Sequence, residues 1–249
     1  MKILLTNDDG IESPGILSLE KTLAGEHEIW TMAPDSERSG MSHSITLKEA
    51  VRIQQVGERR FSCSGTPADC VLFSFLGAIP VTPDVVISGI NLGPNLGTDI
   101  IYSGTAAAAR QGALMGRPSI AVSVTSTAPP FFFDRAADFV LRNLDIFVSL
   151  WNEDHFLNIN VPNSNTRVFK ITVTHPSRRI YRDQQVNFTA PEGEKYYFLK
   201  GSTPAAGIEE NSDWDAINKG NISVCPVYLH PLNHTNGRRY RDTIFREPV

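Results

Sequence analysis

The sequence predicts an α/β protein: a doubly wound, mostly parallel sheet followed by a C-terminal β-hairpin arm and extension. Three observations predict it. Short apolar runs suited to buried strands alternate with segments of helical period from Ile3 to Val161. Polar loops rich in Asn, Asp, Ser and Gly follow the first three of those core runs, where open α/β sheets place ligands. After about residue 165 the alternation gives way to a different pattern.

Ile3-Leu4-Leu5 is long enough for one buried strand, and Asn7-Asp8-Asp9-Gly10 follows at once. Adjacent carboxylates repel, and burial adds a desolvation cost. A hard cation relieves both, because Mg²⁺, Mn²⁺ and Ca²⁺ prefer oxygen ligands. Taken alone, the stretch reads more simply as an Asx-rich turn before the next helix. Ser13-Pro14 predicts that helix, with a hydroxyl N-cap and proline at the first position. Ile16, Leu17, Leu19 and Leu23 give it an apolar face. Glu28 to Ala33 reads as the second strand, closing a right-handed β-α-β unit.

Pro34 opens the loop Asp35 to Ser44, and parallel pairing of the first two strands would bring Ser39 toward the two carboxylates. An ordinary serine-rich loop is an equal reading of the same residues. Residues 45 to 64 alternate loosely and predict a hairpin. Thr66-Pro67-Ala68-Asp69 predicts a capping box and a helix to Gly77. Asp84 to Ser88 is a third buried strand, followed by Gly89 to Asp99 with Asn91, Asn95 and three glycines. Ser103-Gly104-Thr105 then opens the alanine-rich run Ala106 to Ala109. Small residues at a helix start suit an anion, since the first amides lack intrahelical partners and the dipole adds partial positive charge. The same residues suit close helix packing, on a different face. No Walker ending and no GxGxxG occur here.

Pro118 to Val124 and Phe156 to Val161 read as strands four and five, with an amphipathic helix from Ala136 to Phe147 between them. Phe131-Phe132-Phe133 reads as core or interface. Beyond 165, Val168 to Val173 reads as a strand with Lys195 to Leu199 as its partner, forming a protruding arm. Ser212-Asp213-Trp214-Asp215 predicts a short capped helix, and Ile222 to Leu229 a final strand. The tail from Asn233, with Arg238, Arg239 and Arg241, reads as exposed.

Composition sets bounds. The 249 residues give one large domain or a domain plus an extension, and 41% hydrophobic content supplies a core. A net charge of −4 without a Lys/Arg block argues against a protein that grips nucleic acid, but permits a small anionic ligand. The apolar start ends at Asn7, too short for a signal peptide, and no apolar run is long enough for a membrane span. Cys63, Cys70 and Cys225 lack metal-ligand spacing and read as buried free thiols in a reducing cytoplasm.

Asn7-Asp8-Asp9-Gly10, Ala33-Pro34-Asp35, Arg38-Ser39-Gly40, Gly65 to Cys70, Ser88 to Asn91, Asn95-Leu96-Gly97 and Tyr102 to Thr105 occur in an order that resembles the SurE (survival protein E) family of metal-dependent 5′-nucleotidases. The resemblance runs from residue 1 to about 162 and more weakly beyond. It implies a Rossmann-like core over 1–165, and a 166–249 extension that completes the core and exchanges arms in a homodimer or tetramer. It implies one divalent cation per subunit, Mg²⁺ or Mn²⁺, held by Asp8, Asp9, Ser39 and Asn91. Asn95, Ser103, Gly104 and Thr105 would surround the phosphate of a nucleoside monophosphate. The implied chemistry is metal-assisted hydrolysis, with Asp8 rather than Asp9 acting on the attacking water. His43 stands where related chains often have asparagine, and Gln111 where they often have an acid, which makes His43 a possible substrate contact. The alternative from another class is a non-catalytic nucleotide and metal sensor.

Overall fold

A computed structural model describes residues 1–165, 169–201, 205–206 and 209–230. In chain order the elements are β1 (Lys2–Thr6), α1 (Pro14–Leu23), β2 (Glu28–Pro34), β3 (Ile53–Gly57), β4 (Arg60–Cys63), α2 (Pro67–Phe73) and β5 (Val85–Leu92). There follow α3 (Asp99–Tyr102), α4 (Gly104–Leu114), β6 (Ser119–Val124), α5 (Phe133–Leu150) and β7 (His155–Val161). The extension holds β8 (Ile171–Val173), β9 (Arg179–Ile180), β10 (Gln184–Thr189), β11 (Lys195–Lys200), β12 (Ala205–Ala206), α6 (Asp213–Asn218) and β13 (Ile222–Tyr228).

Nine strands form one sheet in the order β3-β4-β2-β1-β5-β6-β7-β13-β8. From β4 to β7 every neighbouring pair is parallel. The chain leaves β1 toward β2 on one side and later returns to β5 on the other, so the order reverses beside β1. That reversal opens a crevice at the C-terminal ends of β1 and β5, the usual ligand position of such sheets.

Strand periodicity divides the core. Ile3 and Leu5 of β1 join Val85, Ile87, Ile120 and Val122 beneath α1 and α5. Leu4 points the other way, to Met32, Val86, Val71 of α2 and Ala108 of α4. Truncating a buried leucine such as Leu4 to alanine costs about 2–5 kcal/mol. The small residues of α4 let it approach the sheet: a Cβ on Gly112 would lie 2.4 Å from Ser119 Oγ and 2.7 Å from Val86 Cγ2.

Three expectations need correction. The hairpin expected over 45–64 spans only Ile53–Gly57 and Arg60–Cys63, and 45–52 is loop. Lys195 to Leu199 does not pair with the strand before it: β11 pairs antiparallel with β10, while β8 joins β13 in the main sheet. Both segments alternate like strands, and alternation names a face rather than a partner. Ser13 makes no side-chain cap, because its hydroxyl accepts Asn7 Nδ2 at 2.6 Å instead. By contrast Thr66 forms the expected capping box with Asp69. Val168 and the arginines of the tail lie outside the described residues.

Candidate active site at the end of the first strand

Asn7, fully buried, makes the Asx turn: its Nδ2 donates to Gly10 O at 2.8 Å and its Oδ1 accepts Gly10 N at 3.2 Å. The turn reading therefore belongs to Asn7, and neither of the next two carboxylates is used in it. Gly10 takes φ +103°, the left-handed region that favours glycine.

Asp8 is 4% exposed. Its Oδ1 accepts the Thr105 hydroxyl, and the amides of Gly104 and Thr105 face it at the start of α4. Burial raises its pKa, and the Thr105 hydroxyl and these amides oppose the rise. A Cβ on Gly104 would lie 2.8 Å from Asp8 Cβ and 2.9 Å from its Oδ2, so glycine is what lets α4 meet this carboxylate. Ser103 caps α4, its hydroxyl accepting Ala106 N at 3.0 Å. Part of the helix start expected to face phosphate is thus engaged by Asp8.

Asp9 is pushed up to about 7, first by burial, then by Asp8, with Glu37 adding to the rise. Its Oδ2 is buried and makes no hydrogen bond among the described residues. Ser39 is exposed and donates its hydroxyl proton to Glu37 Oε1 at 3.0 Å, which leaves the oxygen's lone pairs available. The Ser39 loop is tied to β1 through Arg38 N, which donates to Asp8 O at 2.7 Å. Asn91 donates Nδ2 to Gly93 O at 2.9 Å, so its Oδ1 is the atom it can offer outward.

Two clefts meet here. One, of about 270 Å³, is lined by Asp8, Ser39, Asn91, Asn95, Ser103 and Tyr181 among others. The other is lined by Asp9, Ser13, Glu37 and Ser39. Ser39 and Leu92 border both. The structure therefore places Asp8, Ser39, Asn91, Asn95 and Ser103 around one cleft and Asp9 in the adjoining one, with Ser39 shared between them. His43 lines neither cleft: it is half-buried, with Nε2 2.9 Å from Gln111 Oε1, and burial lowers its pKa.

The donor set suits a hard cation. It offers two adjacent carboxylates, one with an orphaned buried oxygen, plus a hydroxyl and an amide oxygen. Among the described residues no group of three or more His, Cys, Asp or Glu could hold a metal, so a cation here would rest on two carboxylates and neutral oxygens.

Several supporting residues escaped the sequence reading. Asn95 is held on three sides: its N donates to Asn160 Oδ1 at 2.9 Å, its Nδ2 to Ser123 Oγ at 3.0 Å, and its O accepts Asn158 Nδ2 at 2.8 Å. The available signal was the pair of asparagines alternating with Leu157, Ile159 and Val161 in a buried strand. Asp213, fully buried, accepts Gly97 N at 2.7 Å and Ser177 N at 3.0 Å, pinning the Asn95 loop to the extension. Nothing local in the sequence marks that role.

Comparison with known proteins places the chain in a family. The family model described as "Survival protein SurE" matches residues 3–183. A protein named 5′-nucleotidase SurE from Kosmotoga olearia is 41% identical over 239 residues, covering 94% of each chain. Its namesake from Petrotoga mobilis is 43% identical over 236 residues, covering 91% of this chain and 92% of its own. The crystal structure of the SurE protein from Aquifex aeolicus superposes with a TM-score of 0.83 at 33% identity, covering 97% of this chain and 98% of that one. The chain belongs to the SurE family.

Proposed function

We propose that this protein is a metal-dependent 5′-nucleotidase that hydrolyses nucleoside 5′-monophosphates to nucleoside and phosphate. Its similarity to proteins of that name supports the activity. The observation that carries the site is the orphaned Asp9 oxygen beside Asp8, at the switch point of the sheet.

In this reading Asp8, Asp9, Ser39 and Asn91 hold one Mg²⁺ or Mn²⁺ per subunit. The cation supplies Lewis-acid polarisation of a phosphate oxygen. Asp8 lines the same cleft as Asn95 and Ser103, whereas Asp9 lines the neighbouring one. In this reading Asp8, rather than Asp9, orients and deprotonates the attacking water, which its sharing a cleft with Asn95 and Ser103 supports. Thr105 fixes its rotamer through the hydroxyl bond. Asn95 retains a second amide hydrogen beyond the one given to Ser123, and offers it to an equatorial phosphate oxygen. Gly104 and Thr105 act on the phosphate through Asp8 and through the helix dipole. His43 tethers the Ser39 loop to α4 through Gln111, so in place of a substrate contact it acts by positioning that loop.

Residues 1–165 form the catalytic core in this account, and 166–249 complete it and mediate assembly. Every residue of β10 and β11 is exposed, including Phe188, Tyr197, Phe198 and Leu199. A lone two-stranded hairpin has no core of its own, so a second subunit covering this arm, in a homodimer or tetramer, accounts for its apolar surface. No helix among the described residues is long and apolar enough to cross a membrane, and a cytoplasmic enzyme without a nucleic-acid partner is the companion proposal.

The test is phosphate release from a panel of nucleoside monophosphates with Mn²⁺, Mg²⁺ or EDTA. Release that EDTA abolishes supports the enzyme. Nucleotide binding without metal-dependent release from any of them would instead identify a sensor.

A further inference from the structure

The 270 Å³ cleft is lined by two chemically different groups of residues. One comprises Asp8, Ser39, Asn91 and Asn95, the groups assigned above to cation and phosphate. The other comprises Tyr102 and Tyr181, with Asp99 beside them. Neither tyrosine has a part in the phosphate chemistry. Tyr102 closes the short helix α3 just before Ser103, yet its side chain is turned to the surface and 55% exposed. An aromatic ring left in water beside a catalytic centre is not there to fill the core.

Tyr181 is held in place. Its hydroxyl donates to Asp99 Oδ1, and Arg179 pairs with Oδ2 of the same carboxylate. Arg179 in turn lies over the Trp214 ring, with its guanidinium carbon 4.7 Å from the centroid. The Arg179 partner offsets the charge of Asp99, so the carboxylate does not leave an uncompensated anion beside an anionic ligand. The two tyrosine rings meet edge to face, with centroids 6.3 Å apart and planes at 89°. Tyr181 therefore packs against Tyr102, whose side chain is otherwise exposed to a ligand.

We infer that Tyr102, positioned by Tyr181, is the stacking platform for the base of the nucleotide whose phosphate lies beside Asp8 in the same cleft. This rests on the phosphatase reading and adds to it which residues take the nucleoside. With phosphate seated among Asp8, Asn95 and Ser103, the aromatic side chains that the same cleft offers to the rest of the molecule are these two. The Tyr181 hydroxyl is committed to Asp99, so that ring offers a surface rather than a hydrogen-bonding handle. Tyr102 contributes to ground-state affinity for the nucleoside and touches no reacting atom.

The test compares Tyr102→Ala and Tyr102→Phe with the unchanged protein. Phosphate release is measured with Mn²⁺ from adenosine monophosphate and from glycerol phosphate, which has no ring to stack. Removing a base–aromatic stack costs about 5- to 150-fold in affinity. Tyr102→Ala is expected to raise KM for adenosine monophosphate within that range, with kcat changing much less. The preference for the nucleotide over glycerol phosphate falls with it, and Tyr102→Phe retains it. Equal losses on both substrates, or a phenylalanine variant as poor as the alanine one, would overturn the platform. If the unchanged protein releases phosphate from neither compound, the phosphatase reading falls. Calorimetric affinities of the same variants for the two compounds then judge the platform separately by the same ratio.

Discussion

Gly104→Ala sets two effects against each other. On propensity alone, alanine inside a helix is favoured over glycine by roughly 0.5–1 kcal/mol. The structure opposes this. The new methyl would sit 2.8 Å from Asp8 Cβ, where ordinary contact begins near 3.4 Å, so one of them must retreat by about 0.6 Å. Asp8 cannot retreat freely, since Thr105 holds its carboxylate and Arg38 N holds its carbonyl. On the other side Pro67 Cγ would lie 3.1 Å from the same methyl. Overpacking of this kind costs about 1–3 kcal/mol, which outweighs the propensity gain. Net of that gain, up to about 2.5 kcal/mol remains, which for a chain of this size is a fall in Tm of up to about 10 °C. Misplacing a reacting group by 1 Å costs about 100-fold, so a shift of this size should lower kcat by about tenfold or more. Calorimetric melting and phosphate release with Mn²⁺ measure the two quantities. An alanine variant as stable and as active as the unchanged protein would refute the close-approach argument.

Other outcomes follow from the same geometry. Asp8→Asn should abolish most phosphate release with Mn²⁺ present, while circular dichroism shows the fold intact. Because Asp9 is raised from 3.8 to about 7 in the metal-free protein, the folded chain holds a proton that the unfolded chain has lost. Stability of the metal-free protein should therefore fall as pH rises from about 4 to about 7, and a melting series in EDTA reads this directly. Cation binding competes with that proton, so Mn²⁺ affinity should weaken as pH drops below about 7 in calorimetric titrations. Phe188 stacks on Tyr196 and Phe198 at centroid distances of 5.2 and 5.8 Å in an otherwise exposed arm. Replacing Phe188 and Phe198 with serine should reduce the assembled mass seen by light scattering while leaving the melting of the core nearly unchanged.

The parts of this account legible in sequence are those set by local rules. Alternation and helical period placed β1, β2, β5, β6 and β7 together with α1, α2, α4 and α5, but not the short α3. Thr66 and Ser103 cap their helices through bonds three residues long, which spacing can show. The Asp8-Asp9 pair was visible as chemistry but ambiguous as structure, because Asn7 supplies the same turn signal and uses it. What spacing could not show are contacts across the chain. Asp213 reaches Gly97 over 116 positions, and Asn160 reaches Asn95 over 65. Tyr181 joins the cleft from the extension in the same way, 82 positions from its partner Asp99. Strand partners failed for a related reason: Gln184–Thr189 lies in a polar, fully exposed stretch with little strand signal, so the true partner of β11 was not visible, while β8 joins β13.

The central claim is that Asp8, Asp9, Ser39 and Asn91 converge on one cation. Calorimetric titration of Mn²⁺ into the unchanged protein and into Asp9→Asn tests it most directly, with phosphate release followed in parallel. The account predicts one Mn²⁺ per chain, bound at least tenfold more weakly when the unpartnered Asp9 oxygen is replaced, and a matching loss of turnover. Unaltered Mn²⁺ affinity in Asp9→Asn would contradict it.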